Sequence, residues 1–272
     1  MNMQFNGAKF QLLRYGNNDN LKLKTYYRSP DDSVIPESPK VRDLGVIMAN
    51  NGDFSDHITK TVQSASNMSG WIFRTFYARD EYTMKTLFKS LVLSRLEYCS
   101  PLIHPSTAAL TMKLETVQRA FTRKIEGMKD KNYWVRLQQL KMYSVERRRE
   151  RFIILYMFKI LHGLVPNIGI DFKTNDRTGT RAIVPVLNTL TPSLIKRLKY
   201  DLLSFKGPRI FNILPYEIRS YKPSKLSNDI ILGFKNVLDR FLQTVPDQPT
   251  IYGLNRPANS NSIIDQIPYS KK

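Results

Sequence analysis

The sequence predicts a mainly α-helical chain with a small N-terminal β-sheet, an α+β arrangement. Up to about residue 50, short β-favouring runs alternate with turn chemistry, and from Phe54 apolar residues recur at three- and four-residue steps. The composition supports a packed core behind both patterns, since 42% of the 272 residues are apolar and 11% aromatic.

The N-terminal region reads as strand, turn, strand, turn, strand. Residues 9–15 and 22–27 are the first two strands, separated by Gly16-Asn17-Asn18-Asp19-Asn20. Ser29-Pro30-Asp31-Asp32 makes the second turn, and Val41-Arg42-Asp43-Leu44-Gly45-Val46-Ile47-Met48 holds the last strand. Three strands alone are marginal, so this sheet is expected to pack on helices or to belong to a larger sheet.

Helices follow. Ser55 can cap the first, whose opening turn carries Asp56 and whose inner face holds Ile58, Val62, Ala65, Ile72, Phe73 and Phe76. A second starts near Asp80 with Met84, Leu87, Phe88, Leu91 and Val92 on one side. Ser106 can cap a third with Leu110, Leu114, Val117, Phe121 and Ile125 inside, and a short amphipathic piece runs through Tyr133, Trp134, Leu137 and Leu140. Ser144 opens a long helix that ends at His162-Gly163, a basic last turn followed by a glycine. Residues 164–170 and 174–180 read as loop, 181–187 as extended, 192–199 as a short helix and 211–219 as a turn with a buried anchor. Residues 226–242, capped by Ser227, form the last helix, with Ile230, Phe234, Leu238 and Phe241 inside. From Val245 the prolines, asparagines and serines predict a flexible tail. The expected organisation is therefore 1–50, 51–163, 164–244 and 245–272.

Chemistry-bearing residues are sparse. A single cysteine, Cys99, excludes an internal disulfide framework and multi-cysteine metal sites, and after an apolar helical face it reads as buried packing. His57, His104 and His162 lie in no metal-ligand frame, and neither a Gly-x-Gly-x-x-Gly nor a Walker-type loop occurs. Two-metal chemistry needs clustered carboxylates. The adjacent pair Asp31-Asp32 follows Pro30 between two strands and is turn chemistry. No cofactor, metal or small-molecule substrate is expected. The N-terminus lacks a basic-then-apolar leader and no apolar run approaches ~20 residues, so the expected localisation is intracellular, cytoplasmic or nuclear, with no secretion and no membrane partner.

Charge is the strongest signal. Against 23 Asp and Glu stand 42 Lys and Arg, a formal net charge of +19. Between Ser106 and Gly163 thirteen bases face five acids. Lys113, Arg119, Arg123 and Lys124 recur along one helix, while Arg147, Arg148 and Arg151 share a face of another. Such ridges can track a phosphate backbone, with Tyr133, Trp134 and Tyr143 as stacking candidates. A solvated basic face with core aromatics has the same spacing, and a membrane surface or an acidic protein would need no different residues.

In order, the motifs resemble one family, the reverse transcriptases of non-LTR retrotransposons, the jockey-like LINE elements. The residues that carry the resemblance begin with Met3-Gln4-Phe5-Asn6-Gly7-Ala8-Lys9-Phe10, Val41-Arg42-Asp43-Leu44-Gly45-Val46 and Phe54-Ser55-Asp56-His57-Ile58. Lys89-Ser90-Leu91-Val92, Leu96-Glu97-Tyr98-Cys99-Ser100 and Glu115-Thr116-Val117-Gln118-Arg119-Ala120-Phe121-Thr122-Arg123 come next. Tyr133-Trp134, Arg147-Arg148-Arg149-Glu150-Arg151, Lys159-Ile160-Leu161-His162-Gly163, Leu164-Val165-Pro166, Phe211-Asn212-Ile213-Leu214-Pro215 and Val245-Pro246-Asp247-Gln248-Pro249 complete the series. The resemblance implies truncated palm hairpin strands with a primer-grip-like hairpin at Leu44, Gly45 and Val46. A helical thumb-like bundle and a mixed C-terminal extension would follow.

The family's Tyr/Phe-x-Asp-Asp box is missing here: Ser29 stands where the aromatic would precede Asp31-Asp32. By resemblance the chain is therefore expected to be a remnant without polymerase activity of its own, since the Mg²⁺ of the intact enzyme needs those carboxylates. It would keep a sequence-independent hold on RNA or DNA, as on a template–primer duplex, and its first fifty residues would be the least stable. A retained host nucleic-acid-binding or nucleoprotein-assembly module and an inert degenerate product are the alternatives. The oligomeric state is left open.

Overall fold

A computed structural model describes residues 6–15, 25–167, 170, 202–222, 229–248 and 261–267. It is mainly helical, with a two-stranded antiparallel sheet near the N-terminus, and divides into two compact units, residues 1–60 and 61–272.

In the first unit, β1 (Lys40–Asp43) pairs with β2 (Val46–Ala49) in the register Lys40 to Ala49 and Asp43 to Val46. Leu44 (φ 45°) and Gly45 (φ 86°) both occupy the left-handed region, the geometry of a tight hairpin turn whose twist matches its strands. Leucine is unusual there, and this one is 83% exposed. The expected strand over residues 9–15 is instead a 3₁₀ turn (Gly7–Lys9) followed by a single bridge from Leu12 to Glu37. Pro36 and Pro39 flank the partner segment and lack N–H donors, so a ladder cannot extend along it. Residues 22–24 of the second expected strand lie outside the described residues.

Helix α1 (Ser55–Thr75) has Ile58, Ala65 and Ile72 fully buried, as its periodicity predicts. Asp80 accepts from the Thr83 amide at 2.9 Å and caps α2 (Glu81–Leu87). A π-helical stretch over Phe88–Leu93 continues α2 into α3 (Ser94–Glu97). Thr107, one residue after the expected Ser106, caps α4 (Ala108–Thr122), and α5 (Tyr133–Gln139) follows. α6 (Val145–Leu161) is capped by the Ser144 hydroxyl and stops at Gly163 (φ 66°), both as expected.

Beyond this point the structure departs from the sequence reading. α7 (Leu203–Ile213) and α8 (Tyr216–Arg219) are helices, and between them they take up most of residues 211–219, expected as a turn with a buried anchor. Gly207 and Pro208 lie inside α7, where Pro208 lacks the N–H that would bond one turn back. α9 (Ile230–Thr244) is capped by Asp229, its carboxylate accepting from the Ile231 and Leu232 amides at 3.0 and 2.9 Å, while the expected cap Ser227 lies outside the described residues. The segments expected at 174–180, 181–187 and 192–199 fall outside the described residues. α10 (Ile263–Gln266) is the last helix among the described residues. None of the described helices is long and apolar enough to cross a membrane.

The main core of the second unit forms around α6. Phe158 stacks on Phe234 at 3.8 Å and 5°, with Ile154, Phe211, Leu238 and Ile263 fully buried around them. It joins residues on both sides of Gly163, so the boundary expected there is crossed by packed side chains. Of the expected flexible tail, residues 249–260 and 268–272 lie outside the described residues. Its described parts are docked, with Asn261, Ser262 and Ile263 all buried.

Gly207 lets α7 approach α6, because a Cβ there would stand 2.4 Å from Met157 Sδ, itself fully buried. Gly207→Ala is therefore expected to destabilise the chain by about 1–3 kcal/mol, although alanine is the better helix former. A lowered urea midpoint checks this. An unchanged one would mean that Met157 can yield without cost.

Candidate nucleic-acid interface

The amphipathic pattern of α4 sets the site. Leu110, Leu114, Val117 and Phe121 point inward, which turns Lys113, Thr116, Ala120, Arg123 and Lys124, in α4 and just past its end, to solvent. Among the described residues, Lys113, Arg123 and Lys124 form no ion pair. Lys124 Nζ lies 4.8 Å over the Phe73 ring, and Arg79 stands 5.1 Å from the same ring. Arg119 is half-buried, its guanidinium 4.5 Å from the Tyr133 ring centre and 5.3 Å from that of Trp134. Arg136 reaches the last turn of α4, donating to the Arg119 carbonyl at 3.1 Å, and also donates to the Lys131 carbonyl ahead of α5 at 2.8 Å. A guanidinium satisfies the carbonyls left free at a helix C-terminus and opposes its dipole.

The second expected ridge is not a surface. Arg147 is fully buried and donates to the carbonyls of Val245 (3.2 Å) and Pro246 (2.8 Å). Arg148 is bonded through two nitrogens to Glu97, and Arg151 grips Asp239 at 2.5 and 2.7 Å. The neighbouring Arg149 is buried as well, bonded to the carbonyls of Leu96 and Ile103. The spacing that aligns three guanidinium groups holds equally for a solvated ridge and for a buried network. One signal in the sequence separates the two: α6 is apolar around much of its circumference after Arg151, and a helix of that kind sits in the core.

The interleaved acids complete this network. The Glu150 carboxylate accepts from the Ser262 hydroxyl and, at 2.7 Å, from the Ile263 amide. Asp247 takes the Ser144 amide and hydroxyl, each at 2.7 Å, and the Asn261 side-chain amide at 2.8 Å. From α4, Glu115 reaches the first amides of α6, Val145 at 3.0 Å and Glu146 at 3.4 Å, and accepts the Tyr133 hydroxyl. Burial pushes the Glu115 carboxyl up to about 7 despite these donors, and burial also raises Glu146 and Glu150.

The aromatics expected to stack on bases are internal. Tyr133 is buried against Glu115, and the half-buried Tyr143 donates to the Asp239 carbonyl at 3.2 Å. Trp134 is half-buried beside Arg119.

The other candidate groups have local roles. The Asp31-Asp32 turn is observed, with the Asp32 amide bonded to the Ser29 carbonyl at 2.9 Å. Asp31 accepts the Ser29 and Ser33 hydroxyls, which hold its carboxyl below the ordinary range, while Asp32 pairs with Arg28 at 3.1 Å. The two carboxylates thus serve separate partners, and among the described residues no three His, Cys, Asp or Glu side chains are placed to hold a metal ion. These residues do not fit a two-metal centre. His57 Nδ1 accepts from the Ile47 amide at 3.2 Å. His104 is buried beside a cleft of about 40 Å³ that Glu146, Arg149, Glu150 and Lys206 also line. Burial, then the Lys206 and Arg149 charges, lowers its imidazole to about 3. Cys99 is half-buried, not fully packed, and its left-handed backbone (φ 52°) turns the chain after α3.

Comparison of the chain with protein-family models, with the curated proteins and with the solved structures finds no match.

Proposed function

We propose that the chain binds nucleic acid without sequence preference through Lys113, Arg123 and Lys124, with Arg119 behind them. On this reading it has no polymerase activity of its own, and it holds a template–primer duplex in the manner of a non-LTR reverse transcriptase thumb. The observation that carries the binding is the set of exposed bases Lys113 in α4 and Arg123 and Lys124 just past its end, without ion-pair partners among the described residues, in a chain of net charge +19. Arg147, Arg148 and Arg151 belong to the scaffold in this reading. The reverse-transcriptase relationship rests on the order of the sequence motifs. The absence of activity rests on the missing aromatic-x-Asp-Asp box and on the turn that occupies both carboxylates of Asp31-Asp32.

Contacts of this kind release counterions from the phosphate backbone, so affinity should fall about tenfold to a hundredfold between roughly 50 and 200 mM salt. Alanine at Lys113, Arg123 or Lys124 should each reduce the slope of log K against log salt by about 1, equally for different sequences. Binding that is absent, or indifferent to salt, would refute the proposal. Incorporation of dNTPs on a primed RNA template with Mg²⁺ or Mn²⁺ would refute its non-enzymatic part.

A further inference from the structure

Other aromatics than those expected stand in solvent. Tyr77 is 93% exposed, Tyr82 81% and Trp71 45%. They lie at the end of α1, on the connector to α2 and in the first turn of α2. The connector is held by Arg79, which donates to the Phe73 carbonyl at 2.7 Å, the Ala78 carbonyl at 3.1 Å and the Phe76 carbonyl. Trp71 meets Phe76 edge to face at 6.1 Å. The end of α4 is fastened to the same corner, because the Glu126 amide donates to the Arg79 carbonyl at 2.9 Å and Lys124 covers Phe73. The exposed rings thus share one corner of the second unit with Arg79 and Lys124, and Arg74 and Arg123 are the chain neighbours of Phe73 and Lys124. Of the carboxylates there, Asp80 caps α2, Glu81 pairs with Lys85 at 3.8 Å, and Glu126 stands exposed.

We propose that this corner binds single-stranded nucleic acid, with unpaired bases stacking on Tyr77, Tyr82 and Trp71 while Arg123 and Lys124 hold the phosphates. The inference rests on the reading of the α4 bases as a phosphate grip and adds to it a contact for the unpaired strand that a template–primer carries beside its duplex. Rings separated by cations suit a polyanion that offers flat apolar faces along its length. A duplex hides those faces within its own stack and leaves the exposed rings nothing to cover.

The test uses the full chain with labelled oligodeoxythymidine and oligouridine of about 15 nucleotides, a duplex of the same length, and anionic phospholipid vesicles. Single strands should bind more tightly than the duplex. Tyr77→Ala and Tyr82→Ala should each weaken single-strand binding about fivefold to a hundredfold, with the salt slope and duplex binding unchanged, and Tyr77→Phe should restore it. The inference is overturned if the two alanine variants combined leave single-strand binding intact while Arg123→Ala and Lys124→Ala still weaken it. In that case the phosphate grip stands. If no oligonucleotide binds, or only the vesicles do, both readings fall.

Discussion

Arg147→Ala is expected to destabilise the second unit by about 3–5 kcal/mol, the scale for removing one partner from a buried charged network. The guanidinium is fully enclosed and serves the Val245 and Pro246 carbonyls. Its removal leaves acceptors without donors and takes a positive charge away from Glu150, whose ionised form that charge favours. It also frees one anchor of the C-terminal segment, which Asp247, Asn261 and Ser262 hold from the other side. Alanine at the exposed Lys113 or Arg123 should stay within about 0.5 kcal/mol of wild type. Trp71 and Trp134 both lie in this unit, so urea unfolding followed by tryptophan fluorescence reads the effect. An Arg147→Ala variant as stable as Lys113→Ala would show that the network contributes little.

Stability should also depend on pH through Glu115. Its carboxyl rises from an ordinary 4.5 to about 7 in the folded chain, with burial as the leading cause. The unfolded chain therefore loses this proton first. Stability from the protonated group is complete below 4.5 and is lost as pH rises through the folded value. Glu146 and Glu150, also raised, act in the same sense. His104 opposes them: with its imidazole lowered to about 3, its contribution is complete above 6.5 and is lost as pH falls. Comparison with a variant isolates one group. Relative to wild type, Glu115→Gln should gain on the order of 3 kcal/mol between about pH 4.5 and pH 8, since each tenfold change in proton affinity corresponds to about 1.36 kcal/mol. Parallel stability profiles for the two proteins would overturn the assignment.

Much of the fold was legible from local spacing. The inner faces of α1, α4 and α9, the Ser144 cap, the glycine stop after α6 and the Asp31-Asp32 turn all follow from interactions within about four residues. The reading failed where distant groups compensate for a local conflict. The C-terminal residues 245–248 and 261–267 dock, against the expectation of a flexible tail, because Arg147, Glu150 and Ser144 offer them partners.

The candidate site divides along the same line. The exposed bases on α4 were legible because its inner face is plainly apolar, so its outer face must meet water. The arginines of α6 were not, since their partners Val245, Pro246 and Asp239 lie roughly ninety to a hundred residues away in the chain. By itself the sequence determined the helical class and the excess of positive charge, both set by composition and short-range periodicity, whereas residues 41–48, read as one strand, fold back at Leu44-Gly45 as a hairpin that only the resemblance implied. Only the tertiary structure decided that Arg147 and Arg149 of α6 are enclosed and which rings face solvent. A guanidinium has the same spacing on a helix whether its nitrogens meet water or the carbonyls of a distant segment, and that choice depends on packing between parts of the chain far apart in sequence.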